Sequence, residues 1–144
     1  MSDQPNPKAI DLEAFASVTT RLREALADYR KDPANLYILD AVIKRFELTY
    51  ELGFRSLRRY LVDYLPSNAE VDDMSFAGLI RRADKEGLVH AGWPAWRGFK
   101  EARNETVHTY REAKARDVAE KAAAFLPEAE YLLTALQKGL RTNG

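Results

Sequence analysis

The 144-residue sequence contains no cysteine. It therefore has no disulfide, no thiolate metal ligand and no cysteine nucleophile. This absence fits a cytoplasmic protein, and that is the location we expect. The sequence also lacks a Walker-type glycine loop, an HExxH motif and an acidic cluster at the spacing of metal ligands. We therefore do not expect an ATPase or a metallohydrolase, and we predict neither a metal nor a cofactor.

Net charge and long apolar runs are absent as well. The 22 Lys and Arg residues equal the 22 Asp and Glu residues, so the total charge gives no general attraction to nucleic acid or to a membrane surface. No apolar run approaches the roughly 20 residues that span a bilayer, and the start MSDQPNPKAI does not resemble a secretory signal. We expect a soluble protein with a disordered tail over residues 1–9 and one domain over residues 10–141.

Apolar residues recur at helical spacing through most of the chain, and nothing alternates with period two for long enough to suggest a strand. The apolar stripes and the capping residues together predict five helices. The first helix begins at Leu12, with Asp11 as its cap, and stops at Asp32-Pro33, and a long second helix runs from Leu36 to Leu65. After a polar loop at Pro66 to Met74, a short helix lies between Ser75 and Gly87. Gly92-Trp93-Pro94 opens the fourth helix, and the last helix has an apolar stripe from Val118 to Leu140. We predict an all-α fold, an up-and-down four-helix bundle with one additional short helix.

Three features of these helices give sharper expectations. Gly53 lies in the apolar stripe of the second helix, where glycine costs about 1 kcal/mol relative to alanine, so we expect another helix to approach its backbone closely. Pro127 should kink the last helix. A basic connection that contains Arg111, Lys114 and Arg116 should lead into that helix.

The residues best suited to chemistry lie together at positions 103–110, RNETVHTY, where the fourth helix is predicted to end. On a regular helix Arg103 shares a face with apolar residues, and a guanidinium taken out of water needs partners. Glu47 and Glu51, on the flank of the second helix, are the candidates. A structural Arg–Glu contact that joins two helices is therefore one interpretation of Arg103.

His108 follows Arg103 by five positions, which on a continuous helix would place the two side chains about 140 degrees apart. They can converge on one ligand only if the helix ends near Val107. Capping or packing is the plainer role for a histidine at a helix end. Packing at the helix junction is likewise the plainer role for Tyr110.

The same residues resemble a known signature. Arg103-Asn104, three residues, His108, one residue and Tyr110 match the R-x4-H-x-Y motif of HEPN domains, the helical toxin component of bacterial HEPN–MNT toxin–antitoxin pairs. The segment KRFELTYELGFRSL at 44–57 is similar to the R-F-E-x-x-x-E-L segment of the same family. The last helix, with Phe125-Leu126-Pro127 partway along, resembles the HepT-like branch named nucleotidyltransferase substrate-binding protein. The resemblance covers about residues 10 to 140.

This resemblance implies a metal-independent ribonuclease toxin that acts as a homodimer on RNA. It implies His108 as general base or acid and Arg103 as a phosphate clamp, with Asn104, Glu47 and Glu51 in support. It also implies an MNT-type nucleotidyltransferase as antitoxin, which silences the toxin by attaching AMP to Tyr110.

Basic and aromatic residues near the motif are candidates for holding RNA. Four basic residues are assigned to RNA binding: Arg55, Arg58, Lys100 and Arg111. Trp93 and Trp96 could stack on bases, although tryptophans at a helix start are more often core residues. Two other interpretations stay open, namely a non-catalytic subunit that presents a nucleotide or substrate to the nucleotidyltransferase, and a helical dimer in which the motif only packs.

Overall fold

The computed structural model of the chain describes residues 11–64 and 74–143. This part of the chain contains five α-helices and no strand, which confirms the all-α prediction. The elements are α1 (Glu13–Lys31), α2 (Leu36–Tyr64), α3 (Phe76–Lys85), α4 (Gly92–Asn104), a 3-10 turn (Glu105–His108) and α5 (Glu112–Asn143). The tail predicted at 1–9 and all but the last residue of the loop predicted at 66–74 lie outside the described residues.

The helix ends follow from local hydrogen bonds that the sequence predicts. Oδ1 of Asp11 accepts a hydrogen bond of 2.8 Å from the backbone N–H of Glu13, in the first turn of α1. The hydroxyl of Ser75 accepts one of 3.1 Å from Gly78 at the start of α3. Gly87 follows α3 with a φ of +75°, the left-handed conformation that ends many helices. Ser75 and Gly87 therefore act as predicted, whereas the N-cap position of α1 is Leu12, one residue after the predicted Asp11.

The start of α5 differs from the prediction. The helix begins at Glu112, so Lys114 and Arg116 lie on it rather than in a connection. An i,i+4 ion pair at 3.0 Å between Arg116 and Glu112 supports this first turn. The expectation was wrong because it placed the start of the apolar stripe at Val118, whereas α5 already packs against the core at Ala115, which is 2% exposed. The helix continues through Pro127, and the kink expected there stays a prediction.

The long helix α2 is the centre of the molecule. It contacts each of the other described helices and the 3-10 turn. Helices α1, α2 and α5 pack against one another as a bundle, and α4 packs against α3 and α5. The largest fully buried side chains come from all five helices and include Phe15, Leu22, Phe46, Leu57, Ile80, Trp96, Phe125 and Leu132. The stricter description, an up-and-down four-helix bundle with one additional short helix, stays a prediction.

The two longest helices, α2 with 29 residues and α5 with 32, are amphipathic. Each buries an apolar stripe and carries charged residues on its other faces. Among the helices of the described segments, none is long and apolar enough to cross a membrane.

The close approach expected at Gly53 is present. A Cβ atom built on Gly53 would lie 2.9 Å from two ring carbons of Phe15, a buried residue of α1. Heavy atoms of side chains do not normally approach this closely, so glycine allows α1 and α2 to pack at their observed distance. The loss of helix propensity at Gly53 is thus offset by packing.

Replacing Gly53 with alanine should lower the free energy of unfolding by about 1–3 kcal/mol, because the added methyl group must displace Phe15 or move α1. Gly98→Ala is the matched control. Gly98 also lies inside a helix, but its nearest neighbour would be the mobile Nζ atom of Lys121 at 3.4 Å. That change should be neutral or stabilise by up to about 1 kcal/mol. Urea unfolding followed by circular dichroism measures both, and equal losses would contradict the packing argument.

Candidate functional site

The start of α4 is held by a buried carboxylate that sequence reasoning missed. Glu128 of α5 is 4% exposed. Its oxygens accept hydrogen bonds from the backbone N–H groups of His90 and Ala91 at 3.0 and 3.1 Å, and from the indole N–H of Trp96 at 2.8 Å. The N-terminus of a helix favours a negative charge because its first N–H groups lack partners within the helix. Glu128 therefore ties the two residues that precede α4, and Trp96 within it, to α5.

The end of α4 is held by two carboxylates of α2. Nε of Arg103 donates a hydrogen bond of 2.9 Å to Oε1 of Glu51, and Nη2 of Arg103 donates to the same oxygen. Nη1 lies 3.9 Å from Oε2 of Glu47. The Arg103 side chain is 27% exposed, so this guanidinium is largely withdrawn from water. The contact expected between Arg103 and the two glutamates is present, and it joins α4 to α2.

Threonine hydroxyls stabilise the 3-10 turn that follows α4. Oγ1 of Thr106 lies 2.8 Å from the carbonyl oxygen of Arg103 and 3.2 Å from Oε2 of Glu47. The hydroxyl of Thr109 donates a 2.8 Å hydrogen bond to the carbonyl oxygen of Thr106. These contacts occupy carbonyl groups that the end of an α-helix leaves without partners. The turn is therefore tied both to α4 and to the glutamates that hold Arg103.

His108 and Tyr110 lie on the surface at the end of this turn. The α-helix stops at Asn104, three residues before the end predicted near Val107, and a 3-10 turn continues to His108; convergence of Arg103 and His108 on one ligand stays a prediction. His108 is exposed and Tyr110 is 75% exposed, with their ring centroids 6.4 Å apart. The motif thus combines a fixed guanidinium with an accessible imidazole and an accessible phenol.

A groove of about 660 Å³ lies beside Arg103, between α2, α4 and the start of α3. Glu51 lines it together with five other predicted site residues: Arg55, Arg58, Lys100, Arg103 and Asn104. His108 and Arg111 are not among the lining residues. The guanidinium of Arg111 instead lies 5.6 Å from the ring centroid of Tyr110, within cation–π range. Three of the four basic residues assigned to RNA therefore share one groove, and the fourth lies at the motif tyrosine.

Two aromatic predictions are resolved by burial. Trp96 is fully buried and its indole N–H is bound to Glu128, so its ring is not available to a base. Trp93 is half-buried, with its ring centroid 5.4 Å from that of Phe76. The core role favoured for these tryptophans is therefore the one that the packing supports.

Tyr50 lines the same groove and is buried. Burial raises the pKa of its hydroxyl well above the ordinary value, and the nearby Arg103 guanidinium offsets part of that effect. The phenol is therefore protonated at physiological pH and can act as a hydrogen-bond donor.

The motif combines three chemical groups: the positive charge of Arg103, the imidazole of His108 and the hydroxyl of Tyr110. Arg103 presents planar donors suited to a phosphate. An imidazole can act as acid or base near neutral pH. Over the described ranges, no group of three or more His, Asp or Glu residues is placed to hold a metal ion.

Comparisons with known proteins show which proteins this chain resembles. A family model described as nucleotidyltransferase substrate binding protein like matches residues 10–138. The probable ribonuclease HepT of Haemophilus influenzae is 29% identical over 101 residues, which cover 70% of this chain and 68% of that protein. The solved structure of HI0074 from Haemophilus influenzae, described as the fold of a substrate binding domain of a nucleotidyltransferase, matches with a TM-score of 0.80. It is 24% identical and covers 88% of this chain and 99% of its own, so it shows the fold alone.

The contact between Arg103 and Glu51 should be measurable as a coupling energy. In a double-mutant cycle with alanine at either or both positions, we expect a coupling of about 1 kcal/mol or more, because the pair is partly desolvated and hydrogen-bonded. The control is the Arg97–Glu101 pair of the same helix, whose side chains are 66% and 67% exposed. Its coupling should stay below about 0.5 kcal/mol. Equal coupling energies from chemical unfolding would contradict a structural role for the first pair.

Proposed function

Because this chain belongs to the nucleotidyltransferase substrate-binding protein family, we propose that it is a HEPN-type ribonuclease toxin whose antitoxin is an MNT nucleotidyltransferase. The observation that carries the proposal is the geometry of the motif. Arg103 is held by Glu51 and Glu47, and the 3-10 turn that follows exposes His108 and Tyr110. The relative named probable ribonuclease HepT supports the same activity.

The motif residues match what metal-independent RNA cleavage requires. The 2′-hydroxyl attacks the neighbouring phosphate, so a base must take its proton and an acid must protonate the departing 5′-oxygen. Positive charge must also stabilise the crowded phosphate. His108 acts as the base or the acid, and Arg103 clamps the phosphate. Asn104 lies next to Arg103 in the groove and orients a phosphate oxygen or His108.

The need for both an acid and a base favours a homodimer. The second histidine of the chain, His90, precedes α4, whereas His108 follows it. The 13 residues of α4 separate them by about 20 Å at 1.5 Å per residue. A second imidazole must therefore come from a second copy. Val107 is 67% exposed next to His108 and offers apolar surface for that contact.

Tyr110 is the residue that the antitoxin modifies in this proposal. Its hydroxyl oxygen attacks the α-phosphate of ATP, loses its proton, and displaces pyrophosphate to form a tyrosine–AMP ester. Tyr110 is 75% exposed, so its hydroxyl is accessible to a partner enzyme. The added phosphodiester charge and adenine, placed beside His108, would repel and obstruct RNA.

A second candidate function is a non-catalytic subunit that presents a nucleotide or substrate to the nucleotidyltransferase. The specific observation in its favour is the groove, because a basic groove beside Arg103 can bind a nucleotide without any role for His108. The family name also describes substrate binding. Under this alternative, His108 has no catalytic role and the protein alone does not cleave RNA.

The same proposal sets the extent and location of the domain. We assign one HEPN-like domain to residues 10–141, close to the 10–138 matched by the family model. A toxin that acts on cellular RNA works in the cytoplasm, where RNA and its nucleotidyltransferase partner are present.

The ribonuclease should be tested by incubating the purified protein with total cellular RNA in the presence of EDTA. We expect cleavage by the wild type and a rate at least about 100-fold lower for His108→Ala, since a general acid or base contributes about 10²–10⁴. Arg103→Ala should also lose activity, because the phosphate loses its clamp. His90→Ala is the matched control and should retain activity.

Intact RNA after incubation with a folded wild-type dimer would reject the ribonuclease. The second candidate would then be tested by nucleotide binding.

The modification should be tested by incubation with the nucleotidyltransferase partner and ATP, followed by intact-protein mass spectrometry. We expect wild type to gain the mass of AMP and Tyr110→Phe to gain none, because phenylalanine lacks the attacking hydroxyl. Tyr37→Phe is the control, since Tyr37 is 88% exposed but lies outside the motif. Labelling of Tyr110→Phe at the wild-type level would show that another residue is modified.

A further inference from the structure

The described lining of the groove beside Arg103 has more basic than acidic residues, although the whole chain has equal numbers of both. Arg55 of α2 and Lys100 of α4 line it, and neither has a carboxylate partner among the described residues. Glu51 is the one acidic residue of the described lining, and it is bound to Arg103. The described lining of the groove is therefore positive in a chain of zero net charge, and an anion is the ligand that it fits.

Aromatic rings form the rest of the same walls. The ring of Phe54 lies parallel to that of Tyr50, with an interplanar angle of 3° and centroids 6.2 Å apart. It also lies 5.2 Å from the ring centroid of Phe76. Both phenylalanines are half-buried and both line the groove. Nζ of Lys100 lies 4.6 Å from the centroid of Phe76, which holds the ammonium group over the apolar wall.

An aromatic surface beside unpaired cations is the combination that binds a nucleotide. The base stacks on a ring, and the cations contact the phosphate. Neither part alone would identify the ligand, because an apolar wall accepts many molecules and a cation accepts any anion. A ligand that uses both must have a flat ring and a negative charge, as a nucleotide does.

We propose that this groove is a nucleotide-binding subsite in which a base stacks on Phe54 while Arg55 and Lys100 hold its phosphate. The volume of about 660 Å³ lies within the roughly 300–1,000 Å³ of small-ligand sites. The Tyr50 hydroxyl adds a hydrogen-bond donor in the same lining. The inference rests on the proposed function in one respect: Arg103 also lines the groove, so a bound nucleotide lies next to the phosphate that is cut.

The occupant is an unpaired nucleotide, either free or within a single strand. In a duplex the bases are stacked and paired, so they cannot enter a groove between helices. A single-stranded RNA and a free mononucleotide share the required base and phosphate. The subsite binds the base and the phosphate that both ligands contain, and a competition experiment distinguishes the two ligands.

Fluorescence anisotropy with a short labelled single-stranded RNA whose 2′-hydroxyls are methylated measures binding without cleavage. Phe54→Leu keeps apolar volume but removes the ring, and should weaken binding by about 5- to 100-fold. Arg55→Gln and Lys100→Gln should each weaken it by about 3- to 10-fold and lower the salt dependence by about one counterion. Arg97→Gln is the matched control, because Arg97 lies on the same helix one turn before Lys100 but does not line the groove. It should change affinity by less than about twofold.

A conservative variant separates loss of the ring from loss of the fold. Phe54→Tyr keeps the aromatic face and should retain binding, and circular dichroism checks that Phe54→Leu is folded. Equal affinity in all groove variants, or no binding by the wild type, overturns the proposal. Free AMP that displaces the RNA shows that the subsite accepts a mononucleotide, whereas failure of AMP to compete assigns it to the RNA strand.

The methylated RNA also separates this inference from the ribonuclease proposal. Binding through the groove without cleavage of ordinary RNA would retain the subsite and reject the ribonuclease. Cleavage of ordinary RNA, together with unchanged binding by the groove variants, would retain the ribonuclease and reject the subsite.

Discussion

Helix α4 is held at both ends by carboxylates of its neighbours. Glu128 of α5 accepts hydrogen bonds from the backbone N–H groups of His90 and Ala91, just before α4, and from the Trp96 indole N–H, and Glu51 of α2 accepts two from Arg103. Both interactions withdraw charge from water, which is favourable only when the geometry satisfies the buried group. Neither end of α4 can therefore shift without leaving a carboxylate or a guanidinium poorly solvated. The position of the motif depends on these two contacts.

This anchoring divides the motif into a rigid part and an accessible part. Arg103 belongs to the packed structure, whereas His108 and Tyr110 follow on a short 3-10 turn that leaves both side chains exposed. The chemistry that we propose needs this division. A charge that stabilises a phosphate is most effective when its position is fixed in advance, while a histidine that must meet substrate and a tyrosine that must meet a second enzyme have to be reachable.

The sequence predicts much of this arrangement because helical spacing and capping are local. The all-α class and the cap Ser75 follow from residue type and spacing, and the close approach at Gly53 and the contact of Arg103 with Glu51 follow from which face of a helix each residue occupies. Glu128 was missed because periodicity treats a glutamate beside an apolar stripe as a residue of the solvated edge. Nothing in the spacing shows that the start of another helix lies against it. Phe54 and Phe76 were overlooked for a related reason, since apolar residues on a stripe are assigned to the core, and only the packing of α2, α3 and α4 shows that their rings reach a groove.

The pairing of Arg103 with Glu51 does not exclude its use as a phosphate ligand. A guanidinium carries five N–H donors in a planar fork, and the hydrogen bonds to Glu51 use Nε and Nη2. Nη1 lies 3.9 Å from Glu47, too far for a hydrogen bond. Its donors therefore form no hydrogen bond with the described residues and stay available to a phosphate. Glu51 both partly neutralises Arg103 and fixes the plane of its guanidinium. A carboxylate that lowers the net charge of the site thus also orients the cation that the proposed reaction requires.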